Sequence, residues 1–173
     1  FTFNDRSKSF KDLMGVTVPD AEVKITGTRF SSVGPLLITH WGLSGPAVIR
    51  LSAWAAVHLH AVSYKFTVLV SWVGTVNEDD FRSQLMELKT LRPKQKITIN
   101  PLFGLPLRLW QRLCDQAEIP AEKHWQEASH RQVNKLLEFL IRCPFEIQGK
   151  TTFKEEFVTC GGVDLSEVVP ETL

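Results

Sequence analysis

The spacing of apolar residues changes twice along this chain of 173 residues, and that change constrains the fold more than any other feature. In the first part, apolar residues recur at every second position, as in half-buried strands. From Asn77 they recur at every third or fourth position, which is typical of helices, and after Pro144 the strand pattern returns. The order predicts an α+β fold: a small antiparallel β-barrel or sheet over 1–76 and 144–173, with a helical subdomain inserted at 77–143.

The first part is predicted to contain strands and one helix. Glu22–Gly27 alternates polar and apolar residues, and Pro35–Thr39 is a short apolar run; both favour strands. Residues 66, 68, 70 and 72 place apolar side chains on one face of a third strand. Pro46 suits the first turn of a helix, so we expect a helix over about Pro46–Val57 with Ser44 as its cap.

The helical unit shows start signals at three places. Asn77 precedes an acidic first turn, a second helix is expected near Pro106, and Ser129 with Gln132 forms a predicted capping box. Pro144 is expected to end the last helix, because proline cannot donate the hydrogen bond that would continue it.

Composition narrows the class of protein. A hydrophobic share of 43% and a charged share of 23% are ordinary for a globular domain. The formal charge of +1 does not indicate a generally basic, nucleic-acid-binding surface. No apolar run is long enough to span a bilayer. Cys114, Cys143 and Cys160 lack C-x-x-C spacing, which argues against a disulfide framework or a zinc ribbon and favours a reducing, cytoplasmic location.

The segment from Thr39 to Pro46 is the first candidate for chemistry. Its glycines and Ser44 precede a predicted helix, where backbone N–H groups can bind an anion, and His40 is a candidate proton donor. The alternative is a tight turn in which Ser44 caps the helix and His40 packs on Trp41. The segment also approaches the G-x-S-x-G nucleophile elbow, but Pro46 occupies the fifth position.

Other candidates are weaker. His58 and His60 alone cannot complete a metal site, so no metal is predicted. Cys114 lies on an apolar helical stripe and is expected in the core. A basic run is expected to form a solvated face, yet it is also the best local argument for nucleic-acid binding. Its members are Lys89, Arg92, Lys94, Lys96, Arg108 and Arg112.

Two segments carry a resemblance to a known family. Residues 34–52, which include T-H-W-G-L-S-G-P, and residues 157–168, which include T-C-G-G-V, resemble the BaiN/YhiN-like family of bacterial FAD-dependent oxidoreductases, also called aminoacetone-oxidase-like flavoproteins. The resemblance implies that this chain is an insertion domain excerpted from a longer flavoprotein. FAD is then expected in the intact parent and no cofactor in this fragment, because the chain has no G-x-G-x-x-G after a strand.

The resemblance also implies partners and site residues. The partners are the FAD-binding domain of the parent chain and a small-molecule substrate. Thr159, Gly161 and Gly162 are expected near the flavin in the parent. The candidate residues of a cleft or domain interface are His40, Gly42, Ser44 and Gly45.

Three functions remain in competition. The leading hypothesis is a substrate-side or structural insertion domain of an FAD-dependent oxidoreductase, inactive alone. The alternative is a nucleic-acid-binding β-barrel/helix module. The near-zero net charge and the lack of clustered exposed aromatic residues make this alternative unlikely. The third is a serine hydrolase with Ser44 as nucleophile.

Overall fold

A computed structural model describes residues 1–8 and 10–150, and within them six strands form a closed barrel. The strands are β1 (Phe3–Asp5), β2 (Thr17–Ile25), β3 (Ser31–Ile38), β4 (Gly42–Ser44), β5 (Lys65–Ser71) and β6 (Cys143–Lys150). They follow the order β1-β4-β3-β2-β5-β6, and β6 pairs with β1 to close the ring. Each pairing is antiparallel. The predicted α+β fold with a small antiparallel barrel is therefore confirmed.

Five α-helices accompany the barrel in the described residues. They are α1 (Pro46–Trp54), α2 (Ala56–Ala61), α3 (Glu78–Leu91), α4 (Leu107–Gln116) and α5 (His130–Ile141). Helices α3 to α5 lie between β5 and β6 in the sequence. The division into two units at 76/77 and 143/144 stays a prediction. Within the described ranges, no helix is long and apolar enough to cross a membrane.

The helix starts follow the predicted caps. The side chain of Asn77 accepts hydrogen bonds from the backbone N–H groups of Asp79 and Asp80 at 3.0 and 3.2 Å. At α5, the Ser129 hydroxyl accepts from the Gln132 N–H at 3.1 Å, and the Gln132 side chain accepts from the Ser129 N–H at 3.1 Å. Each cap satisfies donors that the first turn of a helix leaves free, so the local sequence fixes where these helices begin.

The region around Pro46 differs from the prediction. Ser44 lies in β4 opposite Leu37, and the residue before the helix is Gly45, which makes no side-chain cap. The first helix ends at Trp54 because Ala55 leaves the helical conformation (φ −92°, ψ 7°), and α2 then continues to Ala61. Pairing of β4 with both β1 and β3 outweighs the local preference of Ser44 for a cap.

The barrel and the helices share one hydrophobic core. On β5 and just after it, Val68, Val70 and Trp72 are buried, as their alternation predicts. The Trp72 backbone N–H donates to the carbonyl of Leu140 at 2.8 Å, which joins the end of β5 to α5. The Trp72 ring also lies 6.0 Å from that of Phe145 on β6. The helices therefore cover the end of the barrel where β5 finishes.

Candidate functional site

The turn between β3 and β4 presents two rings to solvent. The Thr39 hydroxyl accepts hydrogen bonds from the backbone N–H groups of Trp41 and Gly42 at 3.3 and 3.1 Å, which closes the turn. His40 is exposed and Trp41 is 41% exposed, with their ring centroids 4.5 Å apart. The expectation that His40 packs against Trp41 describes this geometry, and both rings remain accessible to a partner.

The glycines of this segment serve strand packing. A Cβ on Gly42 (φ 153°) would lie 2.2 Å from the carbonyl oxygen of Phe3, and one on Gly45 (φ 99°) would lie 2.8 Å from that of Pro35. Ser44 sits between them, half-buried in an antiparallel strand. A nucleophile elbow needs a sharp turn from strand to helix at the serine itself, and Ser44 does not occupy such a turn. The hydrolase hypothesis therefore gains no geometric support.

A lysine lies next to the exposed tryptophan, and a second lysine lies close to the first. Lys8 Nζ lies 5.8 Å from the centroid of the Trp41 ring, close enough for a cation–π interaction. Lys8, Lys11 and His40 line one small hollow together with Asp5, whose carboxylate is buried and accepts hydrogen bonds from the Ser7 hydroxyl. We call the exposed set Lys8, Lys11, His40 and Trp41 the cationic corner.

Helix α4 brings two arginines to the neighbouring turn. The guanidinium of Arg108 donates to the Asp12 carbonyl, and that of Arg112 donates to the Asp12 carboxylate at 2.5 Å. Asp12 directly follows Lys11, so these contacts hold the basic residues of α4 close to the cationic corner. Cations about 100 positions apart in the sequence thus lie on one surface, where the Asp12 carboxylate is the counter-ion of Arg112.

The basic run predicted from the sequence does not form one solvated face. Lys89 donates to the Ala128 carbonyl at 2.7 Å, Lys96 pairs with Glu122, and Arg108 and Arg112 bind Asp12. The remaining two, Arg92 and Lys94, are exposed where α3 ends, and Arg108 is exposed as well despite its contact with Asp12. Contacts between distant segments decide which cations face solvent, and a sequence run does not show these contacts.

The other predicted candidates are dispersed. His58 and His60 lie on α2 near the rings of Phe30 and Tyr64, and the described ranges hold no group of three or more residues suited to bind a metal ion. Cys114 lies in the core as expected, and burial together with the nearby Asp115 carboxylate raises its pKa to about 12. Burial raises the pKa of Cys143 to about 12 as well.

Not every predicted position can be placed. Thr159, Gly161 and Gly162 lie outside the described residues, so their expected proximity to a flavin stays a prediction. The same holds for His40, Gly42, Ser44 and Gly45 as residues of a cleft or interface in a larger protein.

A cleft of about 500 Å³ separates the barrel from the helices. Apolar residues of β2, the end of β5, α3 and the loop before α4 form part of its lining, and Asp20, Asp80 and Gln84 add polar groups. Sequence reasoning missed this cleft and the cationic corner. The available signal for the cleft was the Phe103-Gly104 pair between two helices, since both residues adopt positive φ (57° and 68°).

These features define a class of protein: a closed antiparallel barrel that carries a helical unit between its last two strands, with a basic, aromatic surface where the two meet. Within that class, the chain belongs to the family described as "HI0933-like protein barrel and H2TH domain", whose family model matches residues 1–158.

Two curated relatives share sequence with the chain. A ribosomal RNA dihydrouridine synthase of Escherichia coli is 29% identical over 161 residues, which are 93% of this chain and 37% of that protein. A ribosomal RNA dihydrouridine synthase of Haemophilus influenzae is 25% identical over 173 residues, which are 100% of this chain and 40% of that protein. The chain therefore spans about two fifths of the length of these relatives.

The identification as a BaiN/YhiN-like, aminoacetone-oxidase-like protein was wrong. The family model names a barrel and H2TH domain, and both relatives are named for an activity on ribosomal RNA. The structure shows why the first motif misled. In the T-H-W-G-L-S-G-P segment, Thr39, Gly42 and Gly45 form a turn and two close backbone contacts. The motif therefore reflects how the barrel strands pack and does not identify the reaction.

The expectation that nucleic acid is an unlikely partner is likewise contradicted by the family and by the names of the relatives. It rested on a lack of clustered exposed aromatic residues and on a net charge of +1 for the whole chain. Residues 1–150, however, carry 19 of the 20 Lys and Arg and only 14 of the 19 Asp and Glu. The acidic residues after position 150 thus conceal a clear positive excess in the barrel and helices.

Proposed function

We propose that this chain is the RNA-binding module of an enzyme that modifies ribosomal RNA. The observation that carries the proposal is the cationic corner, where Lys8 lies over an exposed tryptophan and shares a hollow with Lys11, whose neighbour Asp12 binds Arg108 and Arg112. The names of the two relatives and the H2TH description of the family support it.

The corner offers the two interactions that dominate binding of single-stranded RNA. Lysine and arginine side chains neutralise phosphates and release counterions, which makes affinity depend on salt. An exposed aromatic ring stacks on an unpaired base and contributes about 1–3 kcal/mol. The arginines keep N–H donors for a phosphate while Asp12 holds them in place, because a guanidinium has five donors.

The reaction proposed for the whole protein is the reduction of uridine to dihydrouridine. It adds a hydride and a proton across the C5–C6 double bond, and amino-acid side chains do not supply hydride. Reduced FAD held elsewhere in the whole protein would be a suitable hydride donor, and it would become oxidised FAD as uridine is reduced. The cleft described above does not suit FAD, since Asp20 and Asp80 would repel its pyrophosphate. We therefore assign RNA binding, and no step of the reduction, to the described residues.

The test measures how single substitutions change affinity for a fragment of ribosomal RNA. Trp41→Ala removes the proposed stacking platform, and we expect about a fivefold to hundredfold loss of affinity. Trp54→Ala is the matched control, because Trp54 is an exposed tryptophan (61%) on α1 outside the corner.

A second pair of variants tests the charges. Lys8→Gln with Lys11→Gln should weaken binding and lower the salt dependence by about one phosphate contact for each lysine. Lys24→Gln with Lys65→Gln removes the same charge from exposed positions elsewhere on the barrel. Equal losses in the two lysine pairs, together with unchanged binding by Trp41→Ala, would disprove a specific RNA surface at the corner.

A further inference from the structure

The cleft between barrel and helices combines a stacking surface with hydrogen-bond acceptors. The Phe103 ring is 43% exposed and lies against the buried Phe81, with ring centroids 4.5 Å apart and planes inclined by 39°. Phe103 and Phe81 both line the cleft, together with Trp72. An exposed aromatic ring supported from behind by a second ring is a rigid platform for a planar ligand.

Acidic and amide groups surround this platform. Asp80 stands in the first turn of α3, and Gln84 follows it by one helical turn. Asp20 approaches from β2, with its carboxylate next to the backbone of Gly74. Lys and Arg are absent from the lining within the described residues. Carboxylates accept hydrogen bonds and repel phosphate, so the cleft favours a planar group with several N–H donors and no negative charge of its own.

We propose that this cleft binds an unstacked guanine base. Guanine presents the adjacent donors N1–H and N2–H₂ on its Watson–Crick edge, and one carboxylate accepts both. Uracil presents a single N–H between two carbonyl oxygens, which would face the carboxylate unfavourably. The volume of about 500 Å³ is within the range of small-ligand sites and larger than one base requires.

The cleft is therefore a recognition site for a guanine base of the bound RNA. This inference rests on the proposed function for the source of the base, an RNA strand. The cleft and the cationic corner consist of different residues, so a ligand bound at one does not occupy the side chains of the other.

The experiment titrates the 173-residue protein with guanosine, adenosine, cytidine and uridine while NMR follows backbone amides. Nucleosides are used because they carry no phosphate. We expect guanosine to shift Gly104, Gln84 and Val73 and to bind about tenfold more tightly than uridine, in line with the discrimination of a good bidentate contact. Asp80→Asn should abolish that preference. Asp79→Asn is the matched control, since Asp79 shares the first turn of α3 but does not line the cleft.

A second pair tests the platform. Phe103→Leu should weaken the binding of all four nucleosides. Ile99 is an exposed apolar residue of the same connection (56%), and Ile99→Ala should leave binding unchanged. Equal affinity for guanosine and uridine, shifts located outside the cleft, or tighter binding of arginine amide than of guanosine would overturn the inference. Loss of RNA binding in the Trp41 variant together with absent guanosine binding refutes only the cleft. Guanosine binding without RNA binding refutes only the proposed function.

Discussion

At the residue scale, two glycines show how a backbone contact can imitate a functional motif. Gly42 and Gly45 carry positive φ and lie against strand carbonyls, so a side chain at either position collides with backbone. The sequence predicted that glycine was needed here. It could not tell a ligand from a neighbouring strand, because the partner strand β1 lies about 40 residues away along the chain.

Gly42→Ala should therefore destabilise the protein strongly. Its Cβ would lie 2.2 Å from the Phe3 carbonyl oxygen and 2.5 Å from the Asp5 nitrogen, so β1 and β4 must separate. We expect a loss of more than about 2 kcal/mol in the free energy of unfolding, measured by urea denaturation. Gly27→Ala is the control. It has positive φ (71°) but no atom within 4 Å of the added Cβ, and should cost about 1 kcal/mol. Equal losses of stability in the Gly42 and Gly27 variants would contradict the predicted clash with β1.

The buried cysteines predict a pH dependence of stability. Burial raises the pKa of Cys114 from its usual 9.0 to about 12. Above pH 9 this thiol ionises in the unfolded chain and stays protonated in the folded chain, which stabilises the unfolded state. The free energy of unfolding should therefore fall as pH rises from about 9 toward 12. Urea denaturation at about pH 8 and about pH 10 measures the fall. Cys114→Ala should reduce it, and an unchanged fall would show that other groups cause it.

At the element scale, helix starts were predictable and the path of the chain around Pro46 was not. Asn77 and Ser129 cap α3 and α5 as the sequence predicts, because the hydrogen bonds of a cap join residues within four positions of each other. Ser44 fails as a cap because its strand pairs with β3 on one side and with the distant β1 on the other. Local patterns thus predict elements whose hydrogen bonds are local.

Ser129→Ala tests the cap of α5. The substitution removes the hydroxyl that accepts from the Gln132 N–H, and we expect a loss of about 1 kcal/mol in the free energy of unfolding. Ser83→Ala is the comparison, since Ser83 is an exposed serine within α3 whose hydroxyl donates to the Asp79 carbonyl. Its effect should stay within about 0.5 kcal/mol. A similar loss for both variants would mean that the capping box contributes nothing specific.

At the scale of the whole molecule, the sequence predicted the class of fold and missed the surface that matters for function. The two changes in the spacing of apolar residues were sufficient to predict a small barrel accompanied by helices. The cationic corner and the arginines beside it escaped prediction because the closed barrel brings Lys8 to Trp41, and the packing of α4 brings Arg112 to Asp12. Net charge misled for a related reason, since it sums all 173 residues and does not show how the charges are distributed along the chain.

The most direct test of the account is the salt dependence of RNA binding by the 173-residue protein. Affinity for a fluorescent, single-stranded fragment of ribosomal RNA is measured between 50 and 200 mM salt. The four cations at and beside the corner are Lys8, Lys11, Arg108 and Arg112. If each neutralises one phosphate, the logarithm of the association constant falls linearly with the logarithm of salt concentration with a slope of about −3. Absent binding at 50 mM salt, or affinity that does not change with salt, would contradict the claim that this barrel and its helices form an RNA-binding module.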